Sequence, residues 1–264
     1  MALEITALAS GSKGNAVLIT SGEKRLLIDC GVSAARLNAA LEEVGADFTE
    51  VKGILVTHEH DDHIRGIAAI AENYAIPVYA NERTLNAVKR RTGMRGGYYY
   101  KEVNPFAAAG FEIRPFRISH DAVYPVGYSV SDGETRFVYA TDLGYFSPTV
   151  MEAASGADVV MIESNHDVNM LIHGSYPQYL KQRILGTRGH LSNVSCAQAM
   201  IKIAETGTRK FILGHLSEQN NTYELAYGTA TENMEKAGAR KGEDYEMVIA
   251  TQYVNAETVK ADGR

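Results

Sequence analysis

The run His58-Glu59-His60-Asp61-Asp62-His63, set directly after the apolar stretch Gly53-Ile54-Leu55-Val56-Thr57, constrains this chain more than any other feature. Burying so many imidazoles and carboxylates unpaired would be costly, so packing is a poor account of them. Imidazole nitrogen and carboxylate oxygen are donors that zinc, manganese and iron accept. The C-terminal end of an apolar strand is also where α/β folds carry their chemistry. The expectation is a strand that ends in a two-metal hydrolytic site, with other segments closing around it.

The rest of the chain sets bounds. With 264 residues, 45% of them hydrophobic and 22% charged, it is ordinary for a globular protein and long enough to bury a sizeable core. A formal net charge of −6 argues against gripping nucleic acid by overall charge, so a polyanion would need local basic patches. Cys30 and Cys196 lie far apart without CxxC spacing, which argues against a disulfide framework and a thiolate cage. There is no basic leader and no run of roughly 18 apolar residues. The expectation is a cytoplasmic protein with reduced thiols and no membrane segment.

Short β-branched runs punctuated by Gly and Ser predict strands at 3–8, 16–20 and 24–29, with the Ser10-Gly11-Ser12-Lys13-Gly14-Asn15 loop between the first two. Ser33 can cap a helix through Glu43. Helical spacing follows over 63–73 and 82–91, around a strand at 77–80, and residues 93–101 read as an exposed Gly-rich loop. Further strands are expected at 111–119, 126–131, 135–141, 159–163, 210–214 and 245–251. Helices are expected at 176–184, 193–205 and 222–237, and a frayed tail at 260–264. Two β-rich halves with helices outside predict facing sheets under helical layers, within a single domain over residues 1–264.

The spacing His58-x-His60-x-Asp62-His63 after Thr57 resembles the HxHxDH signature of the metallo-β-lactamase fold superfamily. Asp29, His120, Asp142 and His215 follow at the ends of expected strands, in the order of that superfamily's other motifs. The resemblance implies an α/β fold, the four-layer αββα sandwich. It implies that His58, His60 and His120 hold one divalent ion, that Asp62, His63 and His215 hold a second, and that Asp142 bridges the pair. Asp29 would hydrogen-bond the loop carrying the histidines. Two such ions activate a shared water and stabilise charge on the reacting oxygens. Zinc or manganese suits the donors, and iron is compatible.

Three further stretches narrow the resemblance: Glu163-Ser164-Asn165-His166-Asp167, Gly189-His190-Leu191-Ser192-Asn193 and Gly214-His215-Leu216-Ser217. With the Ser10–Asn15 loop they are similar to the YycJ/WalJ family of bacterial metallo-hydrolases. That similarity implies a DNA-directed phosphodiesterase, an exonuclease on duplex ends, with Asp62 and Asp142 in the catalytic set.

The residues themselves add to this. Both Gly-His-Leu-Ser stretches are expected just before a helix, whose N–H groups suit phosphate, with Ser192, Asn193 and Ser217 as donors. Ser12, Lys13 and Asn15 belong to a loop that could form an anion-binding nest. Residues 83–101 hold Arg83, Lys89, Arg90, Arg91, Arg95 and Lys101 with no acid, which makes Arg90, Arg91 and Arg95 candidate DNA contacts. Tyr98-Tyr99-Tyr100 reads as a base-stacking surface or as an edge strand. His190, then His166, is the candidate general acid, and Glu163 is structural, orients one of them or helps to hold an ion. Two alternatives share the ligands: an RNA-directed nuclease, and a small-molecule thioester or lactone hydrolase of the glyoxalase II type.

Overall fold

The computed structural model describes residues 2–262. Its elements run β1 (Glu4–Ala9), β2 (Ala16–Ser21), β3 (Lys24–Ile28), α1 (Ala34–Glu43), β4 (Ile54–Leu55), α2 (Asp61–Ile64), α3 (Ile67–Tyr74), β5 (Val78–Asn81), α4 (Glu82–Thr92) and β6 (Tyr98–Tyr100). The second half continues with β7 (Phe106–Ala108), β8 (Phe111–Arg117), β9 (Val126–Ser131), β10 (Arg136–Ala140), α5 (Pro148–Ala154), β11 (Val159–Glu163), α6 (Val168–His173), α7 (Gln178–Leu185), α8 (Asn193–Ala204), β12 (Lys210–Gly214), α9 (Tyr223–Lys236), β13 (Glu246–Ile249) and β14 (Val259–Lys260).

Two seven-stranded mixed sheets face each other, in the orders β14-β1-β2-β3-β4-β5-β6 and β13-β12-β11-β10-β9-β8-β7. The central strands β1, β2, β10, β11 and β12 are buried at nearly every position because both faces are covered, whereas β8 alternates buried Phe111 and Ile113 with exposed Glu112 and Arg114. Alternation splits each strand between two cores. Leu18, Leu27, Ile54 and Val56 pack outward under α1, α3 and α4, whereas Val17, Ile19, Leu26, Ile28 and Leu55 pack inward on the second sheet. Val138, Ala140, Val160 and Ile162 pack outward from that sheet, against α5, α8 and α9. The result is the expected αββα sandwich. No helix among the described residues is long and apolar enough to cross a membrane.

Several local expectations need correction. The helix expected over 63–73 is broken at Gly66, whose N–H donates to the Cys30 carbonyl. A Cβ there would lie 2.3 Å from the Val32 carbonyl oxygen, so the chain must pass too close to the 30–32 loop to carry a side chain. The loop expected at 93–101 ends in strand β6, which pairs in parallel with β5. Tyr98 and Tyr99 are exposed on this edge, but Tyr100 is buried, its hydroxyl 2.7 Å from that of Tyr128. The tail expected to fray is tied down where it is described: Val259 and Lys260 pair with Ile5 and Glu4 of β1. The last two residues of that call, 263 and 264, lie outside the described residues.

Candidate metal centre

The site sits where strand ends from both sheets meet. The loop after β4 and the short α2 carry His58, His60, Asp62 and His63. The second sheet supplies His120 after β8, Asp142 after β10 and His215 after β12. Asp29, Asp142 and His215 all have left-handed backbone, with φ of 61°, 60° and 57°. That conformation costs a residue with a Cβ on the order of 1–3 kcal/mol and concentrates at functional positions. Gly31 lets the Asp29 loop press on α2, since a Cβ there would fall 1.7 Å from the Asp62 carbonyl oxygen.

The donor atoms converge. His60 Nδ1 is 3.1 Å from His58 Nε2 and 3.2 Å from His120 Nε2. Asp62 Oδ2 is 3.6 Å from His63 Nε2 and 3.5 Å from His215 Nε2. Asp142 stands between the two groups: Oδ1 is 3.5 Å from His120 Nε2 and from His215 Nε2, and Oδ2 is 3.3 Å from His63 Nε2. Two three-residue clusters, His58–His60–His120 and Asp62–His63–His215, could each hold an ion, and Asp142 clusters with members of both.

Buried acceptors fix which ring nitrogen faces inward. His63 Nδ1 donates to Asp29 Oδ2 (2.7 Å), His120 Nδ1 to the Gly189 carbonyl (3.2 Å) and His215 Nδ1 to Glu163 Oε1 (2.9 Å). Each Nε2 thereby faces the centre, as metal-binding histidines require, and the Asn15 amide also lies 3.2 Å from that of His63. Asp29 also accepts from the Thr57 N–H (2.9 Å) and hydroxyl (2.8 Å), which ties the histidine loop to β3. Glu163 is the group whose importance the sequence left open. It is fully buried, accepts from His190 Nδ1 at 2.7 Å besides His215, and takes the N–H groups of Leu143 (2.7 Å) and Leu191 (3.0 Å).

The electrostatics suit a cation. Burial, then the neighbouring imidazole of His63, drives the His58 pKa well below its ordinary value, so it is a neutral donor. Burial also opposes charge on His215, yet Asp142, Asp62 and Glu163 outweigh it and hold its pKa near 10. His63 is likewise raised against burial, by Asp142, Asp29 and Asp62. The carboxylates thus demand positive charge at the centre, and protons on His63 and His215 are what divalent ions would displace. The residues fit the metals that the fold implies.

A cavity of about 230 Å³ opens over the centre, and Ser12, Tyr176, Arg183, His190 and Ser217 help to line it. Arg183 is held at this wall by Asp121, at 2.6 and 3.0 Å. Neither member of that pair had been singled out as a substrate contact. In the sequence Arg183 belongs with Lys181 and Arg188 to an acid-free basic stretch of the kind that neutralises phosphates, whereas nothing there marks Asp121.

Other expected contacts fall elsewhere. Asn15 is sealed inside, accepting from the Gly11 N–H and donating to the Gly11 and Asp62 carbonyls. With the Lys13 N–H given to Gln252 Oε1, little of the expected nest remains for an anion. Lys13 itself bonds Glu218 and Tyr253. Asn193 is buried against Ser164 and Asn221. Ser192 caps α8 with its own hydroxyl, and His215 is followed by a turn, α9 starting only at Tyr223. Arg91 pairs with Asp61 and Arg95 with Glu72, while Arg90 is exposed on α4. His166 does not line the metal-side cavity.

The Beta-lactamase superfamily domain family matches residues 24–216. The chain belongs to the β-lactamase superfamily. Within that superfamily it is 38% identical over 252 residues to exodeoxyribonuclease YycJ of Bacillus anthracis, covering 94% of this chain and 95% of that one. It is 38% identical over 245 residues to exodeoxyribonuclease WalJ of Streptococcus pneumoniae, covering 91% of each. Among solved structures, the metallo-β-lactamase fold protein YhfI from Bacillus subtilis superposes with a TM-score of 0.72 at 16% identity, over 98% of this chain and 100% of that one. The superfamily fold and the metal-suited donors therefore agree.

Proposed function

We propose that this chain is a single-domain, metal-dependent phosphodiesterase that digests DNA from duplex ends. The observation that carries this reading is a likeness to two exodeoxyribonucleases over nearly the whole length, in a chain with the two-cluster donor set in place. His58, His60 and His120 would hold one divalent ion and Asp62, His63 and His215 the other, shared through Asp142; zinc or manganese suits these donors. When bound, such ions lower the pKa of water and neutralise charge on phosphoryl oxygens.

The chain's own residues supply the rest. His190, fixed by Glu163 at the wall of the metal-side cavity, can give a proton to the leaving oxygen. His166 is unsuited to that task, because burial lowers its pKa to about 4 and near neutrality it is a neutral imidazole, not the imidazolium a general acid requires. Arg183, held by Asp121, faces the same cavity and can take a phosphoryl oxygen through its planar fork. The Ser12 and Ser217 hydroxyls offer further donors. Outside, α4 carries Arg83, Arg90 and Arg91 beside the histidine motif, to which the Arg91–Asp61 pair ties it, and this face can follow a duplex backbone. Both cysteines are buried free thiols, which supports a cytoplasmic setting.

The test is a substrate panel. Metal-stripped protein is resupplied with zinc, manganese or iron and offered end-labelled duplex DNA, single-stranded DNA, RNA and a thioester. Progressive shortening of duplex DNA is the expected result. Preference for RNA would move the substrate class, and thioester turnover with no nucleic acid cut would overturn the reading.

A further inference from the structure

A second cavity, of about 310 Å³, lies behind His190, and that imidazole lines both it and the metal-side cavity. His166 lines its inner wall, buried to 1% exposure, and both of its ring nitrogens are without a hydrogen-bond partner among the described residues. Buried polar atoms are rarely left so, and an unpaired imidazole facing a cavity calls for a ligand that both donates and accepts. Tyr145, Phe146 and Leu191 give the cavity lining an aromatic and apolar part. From α8, Ser195 and Gln198 also line it. No acid lines it, and Lys202 is its single ammonium or guanidinium group, exposed on the surface of α8. The α8 N-terminus is capped by Ser192, so this is no phosphate cradle.

A flat ring with a hydrogen-bonding edge fits such walls. We infer that this cavity seats a nucleobase of the strand end, with the adjoining phosphodiester at the metal-side cavity across His190. The inference rests on the nuclease reading above. The volume lies at the lower end of the range of roughly 300–1,000 Å³ for small-molecule sites, as suits one base or nucleoside. Stacking on Tyr145 or Phe146 would give affinity, and the edge formed by His166, Ser195 and Gln198 would orient the ring.

The test measures binding and cleavage separately on the metal-loaded chain. Thymidine 5′-monophosphate is compared with 2-deoxyribose 5-phosphate, which lacks the base, by calorimetry. The base should improve affinity on the order of tenfold or more. Tyr145→Ala, at a residue already 48% exposed, should lose most of that increment, and Gln198→Trp, which fills the cavity mouth, should abolish it. Hydrolysis of bis(p-nitrophenyl) phosphate should be unchanged in both variants. His166 ring resonances should move with the nucleotide and not with the sugar phosphate. Equal affinity for the two probes, or a base increment that survives both variants, overturns the inference even if duplex DNA is digested. A base increment lost as described, in a chain that cuts no DNA, leaves this cavity standing and removes the nuclease reading instead.

Discussion

Two buried carboxylates anchor the two halves of the centre, and they do so differently. Asp29 reaches from the end of β3 to a single segment, holding His63 and both polar groups of Thr57, so it fixes one compact loop. Glu163 reaches several segments at once, binding His190 and His215 together with the N–H groups of Leu143 and Leu191, so it joins the loops after β10 and β12 to the one before α8. The N-terminal half is therefore one contiguous motif held from a single strand end, whereas the C-terminal half is gathered from three separate segments. Asp142 is where they meet, facing His120 and His215 with one oxygen and His63 with the other.

Asp142→Ala should have the largest effect because it disconnects the halves. Phosphodiesterase turnover should fall by on the order of 10³-fold or more, with the folded circular dichroism spectrum kept. Turnover near the wild-type rate would break the comparison at its centre. Next come the two anchors. Asp29→Asn should weaken metal binding by roughly 10–100-fold and be rescued by excess metal, since only ligand orientation is lost. Glu163→Gln should lose at least as much metal affinity, yet stay slow at saturating metal because His190 is also released. Equal rescue of both variants would erase the distinction between the anchors.

A smaller effect concerns protons. His215 is raised to about 10 in the metal-free fold, above its ordinary value near 6.5. Its protonated form therefore stabilises that fold fully below about pH 6.5, and the contribution fades as pH rises through about 10. A divalent ion that takes the proton's place should release protons on binding at pH 8 and release fewer above pH 10. Calorimetry in buffers of different ionisation enthalpy measures this directly. The smallest effect lies outside the centre. Charge reversal at Arg90, Arg91 and Arg95 should raise KM for duplex DNA several-fold and flatten its salt dependence, leaving bis(p-nitrophenyl) phosphate hydrolysis unchanged.

What the sequence made legible follows the same division. Two β-rich halves with helices outside made the sandwich legible, and the contiguous His58–His63 motif named four donors that the fold gathers into candidate clusters. His120, Asp142 and His215 could be named because each closes a strand-like run. Glu163 remained ambiguous, because its importance comes from neighbours at 143, 190, 191 and 215 that no local pattern joins. Asn15 and Asn193 looked like exposed donors, and only the fold reveals that their amides are used up inside. The Arg183–Asp121 pair was hidden for a related reason: its members lie on separate elements and meet only at the cavity wall.

On the proposed reading, the two halves act as one centre only when both candidate ion sites are filled. The most direct measurement is the rate of mononucleotide release from end-labelled duplex DNA, followed against metal ions bound per chain as stripped protein is reloaded. Release should stay low through the first equivalent and rise with the second. Full release at one equivalent or fewer, or no release when both sites are filled, would contradict the account.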